Sequence, residues 1–275
     1  MNTRVEAQGP GAEAALQEVA RLERMLTRFH DSPLTRLNRD GRLDRPPAEL
    51  REALGHALSV AHWSGGLITP TVLPALERIG SRPGGVPVTD GPRSVALPAP
   101  DWRGIALDEA AIVLPAGVTL DLGGTAKSWI VRQAAGLLDG PDWLLDAGGD
   151  LLISSSELCT VQIEHPYGRA APLLALPPGR HGVATSSVLK RRFVGGHHLI
   201  DPRTGESARS PFVQATAVCR DVTWAEVLTK LALLDPSRLP AGGAALVLAY
   251  RADGSLHRWT GRAFVPSPQR VIRAA

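Results

Sequence analysis

From Ala12 to Phe29, apolar positions recur at three- and four-residue spacing through Leu16, Val19, Leu22, Met25, Leu26 and Phe29. That period marks one face of an amphipathic helix. A polar stretch rich in turn formers, His30 to Asn38, follows and reads as a loop. Helical spacing returns from about Pro47 to Trp63, with Leu50, Leu54, Ala57, Leu58 and Ala61 inward. Pro47 suits the first turn, and Ser64-Gly65-Gly66 supplies a stop. Residues 81–103, rich in Pro and Gly without periodicity, read as a long surface connection between sub-domains.

Beyond that connection the texture changes. Val118–Leu122 predicts a strand ended by Gly123-Gly124, and a helix from about Ala126 to Leu138 follows. Trp143–Asp146 predicts a strand running into Ala147-Gly148-Gly149-Asp150, with Leu151–Ile153 beyond. Further strands are expected at 158–164, 172–176, 181–186, 196–200 and 212–219, and the last leads into a helix at about 223–234. A hairpin, 244–251 and 255–260, turns at Asp253-Gly254. Helices come first and strands mostly afterwards. The predicted class is therefore α+β, one domain over residues 1–275 with a mainly antiparallel sheet in the C-terminal half.

Composition narrows the function more than the fold. With 44% hydrophobic and 21% charged residues in 275, the chain is too apolar for disorder and long enough to bury a core. No run approaches the roughly 18 apolar residues of a membrane span. Met1 to Glu6 carries no apolar secretory region and no lipidated cysteine, so a cytoplasmic protein without membrane anchor is expected. The net charge is +3, arginine is spread evenly and aromatics are 4%, which argues against a nucleic-acid binder. Cys159 and Cys219 form no CxxC pair and read as small buried hydrophobes in strand-like runs. The only lysines are Lys127, Lys190 and Lys230, so each invites a reason.

Four segments can carry chemistry. In Leu120-Asp121-Leu122-Gly123-Gly124-Thr125-Ala126-Lys127, paired glycines precede a helix start. There the backbone can approach a ligand, and a phosphate can meet helix N-terminal amides. Lys127 in the first turn would repel the positive helix end without an anionic partner. The segment is not a Walker A loop, and a plain strand-to-helix turn with a solvated lysine explains it as well. In His197-His198-Leu199-Ile200-Asp201-Pro202-Arg203-Thr204-Gly205, a turn follows two histidines that a strand would point to opposite faces. His198 suits proton transfer or a structural role equally. Asp146 and Asp150 flank a glycine pair, and in an extended segment they would share a face, to hold a cation or a ribose hydroxyl or merely to complete a polar turn. Glu226 and Lys230 stand at i and i+4, the order of a helical ion pair contributing roughly 0.3–0.5 kcal/mol.

Taken in order, these segments resemble the ApbE-type FAD:protein FMN transferases. Arg28-Phe29, Asp31-Ser32 and Leu34–Asn38 are similar to one family motif, and Ser64–Val72 to a second. Asp121–Lys127, Asp146–Asp150, Gly182–Ser186 and His197–Gly205 supply four more in the family's order. The resemblance implies an enzyme that binds FAD, uses Mg²⁺, moves FMN to a Thr or Ser hydroxyl of a target flavoprotein and releases AMP. It implies that Asn38, Leu67, Ile68, Thr69, Asp121, Lys127 and Leu199 line the FAD site, with His198 accepting the hydroxyl proton. Mg²⁺ would be held by the main chain at Ala126 and by Glu226, which replaces the family's aspartate.

Three departures bear on this expectation. Thr69 replaces an aspartate, Ser128 replaces a glycine, and Lys230 stands where the family has a metal-binding threonine. Either Glu226 and the main-chain carbonyl still hold Mg²⁺ with water completing the shell, or the Lys230 ammonium takes over part of the cation's work. The alternatives to a transferase are a FAD pyrophosphatase giving FMN and AMP, and a non-catalytic FAD-binding paralogue.

Overall fold

The computed structural model describes residues 4–82, 95–242, 245–267 and 270–274, and the chain divides into two compact units. The first is built from Ala20–Lys127 and Lys190–Ala208, the second from Asn2–Val19, Ser128–Leu189 and Arg209–Ala275. Residues 83–94, the middle of the Pro- and Gly-rich connection, lie outside the described residues. Among the described residues no helix is long and apolar enough to cross a membrane.

Helix α1, Ala12–Leu26, starts in the second unit and ends in the first. It stops short of Phe29, whose ring is exposed instead of completing the apolar stripe. The polar stretch expected to be a loop contains a helix, α2, at Pro33–Asp40. Its start is a reciprocal cap: the Thr35 N–H donates to Ser32 Oγ at 3.1 Å, and the Ser32 N–H donates to Thr35 Oγ1 at 2.8 Å. Pro33 sits at the first helical position, and Gly41 closes the other end with a left-handed φ of 69°. Leu34 and Leu37 are fully buried, each worth about 1.5–3 kcal/mol over exposure. Two apolar residues are too few to show a helical period, which is why the stretch reads as loop.

Helix α3, Ala48–Trp63, matches expectation and ends where the Gly66 N–H reaches back to the Ala61 carbonyl at 2.7 Å. After it come a turn of 3₁₀ helix at Pro70–Val72 and helix α4 at Leu73–Arg78. Strands Arg42–Asp44, Ala111–Val113 and Ala106–Leu107 form a small antiparallel sheet in this unit. Val118–Leu122, expected as a strand, pairs with no strand among the described residues. The Asn38 side chain takes a neighbour's place: its amide donates to the Leu120 carbonyl at 2.8 Å, and its oxygen accepts the Leu120 N–H at 2.7 Å. Asp121 donates its N–H to the Pro70 carbonyl at 2.8 Å. These bonds satisfy an extended backbone outside any sheet.

The second unit holds an eight-stranded sheet in the order 6–8, 143–146, 150–155, 179–187, 212–219, 246–251, 256–259 and 264–266, antiparallel throughout. A three-stranded sheet, 271–273, 173–176 and 159–162, is also present; the 271–273 strand runs parallel to its neighbour. Leu151, Val183, Val218 and Leu248 of the large sheet share one core with Leu174, Leu176 and Ile272 of the small one. Strands alternate their faces, so Ala184, Ser186 and Ala217 face the other way. The unit's helical segments include α5, Ala126–Ala134, most of which lies here, and α6, Val222–Leu234. Every α6 residue except Trp224 is buried. Gly182 permits its close approach, since a Cβ there would stand 2.4 Å from the Val222 nitrogen.

The Asp146–Asp150 segment departs from expectation. It is a tight turn, with Gly148 and Gly149 at φ 64° and 104°. Asp146 pairs across the hairpin with Leu151, so Asp146 and Asp150 face opposite sides of the sheet and cannot act as one pair. Both cysteines are half-buried, not fully buried.

Candidate active site

Within the first unit, residues far apart in sequence are tied into one frame. Asn38, on α2, grips Leu120 and so fixes the neighbouring Asp121. The Asp121 carboxylate pairs with Arg28 Nε, and its Oδ1 accepts the Gly123 N–H at 2.8 Å. The remaining guanidinium nitrogens of Arg28 donate to the Ser81 carbonyl at 2.7 Å and the Ser81 hydroxyl at 2.8 Å. Ser81 follows Ile79 closely, and the Ile79 carbonyl accepts the Gly195 N–H at 3.2 Å. Ile79 also packs with Ala75, Leu76 and Ile200. The chain of contacts thus runs from Asp121 to the segment bearing His198 and Leu199. Arg28 belongs to the first motif but was not among the expected site residues; its burial, which obliges the guanidinium to find acceptors, shows only in the structure.

Leu67 and Ile68 are buried, and Thr69 is half-buried at the start of the 3₁₀ turn. Its hydroxyl accepts the Thr71 N–H at 3.3 Å and lies 2.9 Å from Thr71 Oγ1. Thr71 Oγ1 in turn donates to the Pro100 carbonyl at 2.7 Å, so Thr69 donates to Thr71. Thr69 thus presents a neutral hydroxyl engaged in its own turn.

The glycine turn is less open than its sequence suggests. Gly123 gives its N–H to Asp121, while Thr125 and Ala126 both give theirs to the Leu122 carbonyl. Lys127 is half-buried in the first turn of α5. Ala126 opens that helix, which draws its carbonyl into the helical ladder.

The histidines sit in a segment more broken than one strand. Gly196–His197 pairs with Arg192–Phe193, and Ile200–Asp201 with Glu206–Ser207. His198 lies between them, half-buried, its N–H on the Arg191 carbonyl at 3.3 Å. Leu199 is buried and accepts the Ala208 N–H. His197 is held by its Nε2 on the Ala208 carbonyl at 3.1 Å. Burial pushes its pKa below the usual value, the nearby Arg192 adds to this, and the carbonyl opposes it. His197 is therefore a neutral, structural imidazole at pH 7.

Ala126 belongs to the first unit, Glu226 and Lys230 to the second. In that second unit, Lys230 Nζ lies 2.8 Å from Glu226 Oε1, and the Ser128 hydroxyl donates to Glu226 Oε2. Thr229 donates its hydroxyl to the Glu226 carbonyl at 2.8 Å and meets Ser186 Oγ at the same distance. Both Glu226 oxygens are engaged. Among the described residues no three His, Cys, Asp or Glu side chains are grouped to hold a metal. A dication placed on Glu226 would also face the ammonium: two unit charges 4 Å apart repel by about 4 kcal/mol at an effective dielectric near 20, and a dication doubles that. The residues of the second unit do not fit Mg²⁺.

The ApbE family model matches residues 1–241, and the chain belongs to the ApbE family. Solved structures agree in fold. The ApbE protein of Thermotoga maritima is 23% identical with a TM-score of 0.73, over 93% of each chain. The flavin transferase ApbE of Vibrio cholerae is 17% identical at 0.69, over 98% of this chain and 95% of its own. The flavinyl transferase ApbE of Pseudomonas stutzeri is 19% identical at 0.70, over 96% and 94%. At these identities the likeness is one of fold. No curated protein matches the chain.

Proposed function

We propose that the chain is a FAD:protein FMN transferase. It takes FAD, moves the FMN half onto a threonine or serine hydroxyl of a target flavoprotein and releases AMP. The observation that carries this reading is the frame of the first unit, in which Asn38, Asp121 and the His198 segment are joined through Arg28, Ser81 and Ile79. The two flavin transferases of the same fold support it.

In this reading Asn38, Leu67, Ile68, Thr69, Asp121, Lys127 and Leu199 hold FAD. The acceptor oxygen bonds to the phosphorus of the FMN half as the bond to the AMP oxygen breaks. His198 takes the hydroxyl proton, and AMP leaves as the phosphate monoester. Lys127 is the cation nearest the glycine turn in sequence and offsets charge on the pyrophosphate. No step is routed through Mg²⁺, because the carboxylate expected to hold it is engaged by Lys230 and Ser128.

The test is incubation with FAD and a candidate acceptor domain, read by flavin fluorescence on a denaturing gel and by AMP release. A fluorescent band is expected. His198→Ala should lower labelling by about 10²–10⁴ while leaving FAD affinity within about twofold. Undiminished labelling in that variant would remove His198 from the chemistry. AMP without a band would mean hydrolysis. A second reading, a FAD-binding paralogue without turnover, is favoured by the neutral Thr69 and the engaged Glu226. Bound FAD with neither product would establish it.

A further inference from the structure

The second unit contains one buried charged cluster that the flavin-binding set of the first unit does not use. Glu226 and Lys230 are one helical turn apart on α6, with side chains 4% and 9% exposed. Lys190 is exposed and Lys127 half-buried, so Lys230 is the one buried lysine of the chain. Because both partners ride on the same helix, the pair is in place whenever α6 is folded. Its charges cancel, and the Ser128 hydroxyl donates to the other carboxylate oxygen.

We infer that Lys230 is a built-in replacement for the divalent cation that the family resemblance assigns to Glu226. This chain binds no divalent cation at Glu226 and binds FAD equally well in the presence of a chelator. The chemistry of the cluster supports this. A hard dication seeks six or more oxygens in its shell. Here one carboxylate oxygen faces an ammonium, the other a hydroxyl proton, and the adjacent Thr229 hydroxyl points its proton at a main-chain carbonyl. A covalently tethered monocation does what a bound ion would do for Glu226, with no dependence on ion concentration. The cation part of the inference stands by itself; the chelator part rests on the flavin reading proposed above.

The test uses Mn²⁺ as probe, followed by its electron paramagnetic resonance signal, on the full chain. The wild type should leave the free-ion signal undiminished. Lys230→Met should gain Mn²⁺ affinity by about thirtyfold, the effect on a dication of removing one unit charge at 4 Å even in water-like dielectric. Adding Glu226→Gln to that variant should abolish the gain, and this double variant leaves no charge unpaired if the single one folds poorly. One equivalent of Mn²⁺ taken up by the wild type and lost in Glu226→Gln would overturn the inference. So would a folded Lys230→Met that gains nothing. In parallel, FAD is titrated by flavin fluorescence with EDTA or with Mg²⁺, and affinities equal within about twofold are expected where no coupling exists. A tenfold or greater loss in EDTA, about 1.4 kcal/mol of coupling, would also overturn it. If FAD binds in neither condition, the flavin reading fails, and the Mn²⁺ titration still decides the cation inference.

Discussion

Among the described residues, each unit holds a buried ion pair, and the two are built for different ends. Arg28 and Asp121 are 6% and 11% exposed, and 93 residues separate them. Lys230 and Glu226 are as buried but only four residues apart. Arg28 reaches three acceptors on two other segments, so it fastens chain to chain. Lys230 joins α6 to itself and changes only the charge that Glu226 presents. Equal burial therefore hides unequal duty: the first pair is architectural, the second electrostatic.

The largest effects should come from unpairing. Arg28→Met and Lys230→Met each leave a buried carboxylate without its counter-ion and should cost about 3–5 kcal/mol, read from urea midpoints. Neutralising the partner separates the two. Lys230→Met with Glu226→Gln should return to within about 1 kcal/mol of wild type, whereas Arg28→Met with Asp121→Asn should stay lower, because the Ser81 bonds are still lost. Equal recovery in both double variants would erase the distinction.

A somewhat smaller effect tests what seats the second pair. Gly182→Ala puts a carbon against the Val222 backbone and should cost about 3 kcal/mol, the upper part of the range for overpacking. In the first unit, Asn38→Ala removes two hydrogen bonds from Leu120 and should cost about 2 kcal/mol, with faster amide exchange at Leu120 and Asp121. Unchanged exchange there would mean that Asp121 keeps its position without Asn38.

The smallest effect is absent at neutral pH. Burial pushes the Cys219 thiol from 9.0 up to about 12, outweighing a backbone hydrogen bond at Asp221 that favours the thiolate. A folded pKa above the unfolded one gives stability that is complete below pH 9 and falls as pH rises toward 12. Cys219→Ala should therefore flatten the loss of stability between pH 9 and 12 while leaving the Arg28 and Lys230 comparisons unchanged. An identical alkaline slope in the variant would rule out the thiol as its source.

What the sequence revealed follows the range of the contacts. Helix α3, strand Phe212–Cys219 and helix α6 fall close to the expected bounds. The Glu226–Lys230 pair was legible because both residues lie on one helix, although its burial was not. Helix α2 was missed because its signal is the Ser32–Thr35 cap, with only Leu34 and Leu37 to show a period. Val118–Leu122 alternates like a strand, yet its partner is one asparagine side chain that no pattern announces. Asp146 and Asp150 were expected on one face because the glycine pair was read as extended; left-handed glycines fold it into a turn and part them. The ordered motifs gave the family, while Arg28 as keystone needed Ser81, from the segment read as connection, to be seen in place.

The contact at Gly182 carries one further consequence. Because the Val222 backbone rests directly on the strand, the helix has a zero mark from which every later residue is measured. At 1.5 Å per residue, Glu226 stands about 6 Å and Lys230 about 12 Å along that scale. A change at the mark displaces both charges together and keeps their separation. Glycine 182 is thus a ruler's origin: it sets where the pair acts, and the helix sets what the pair is.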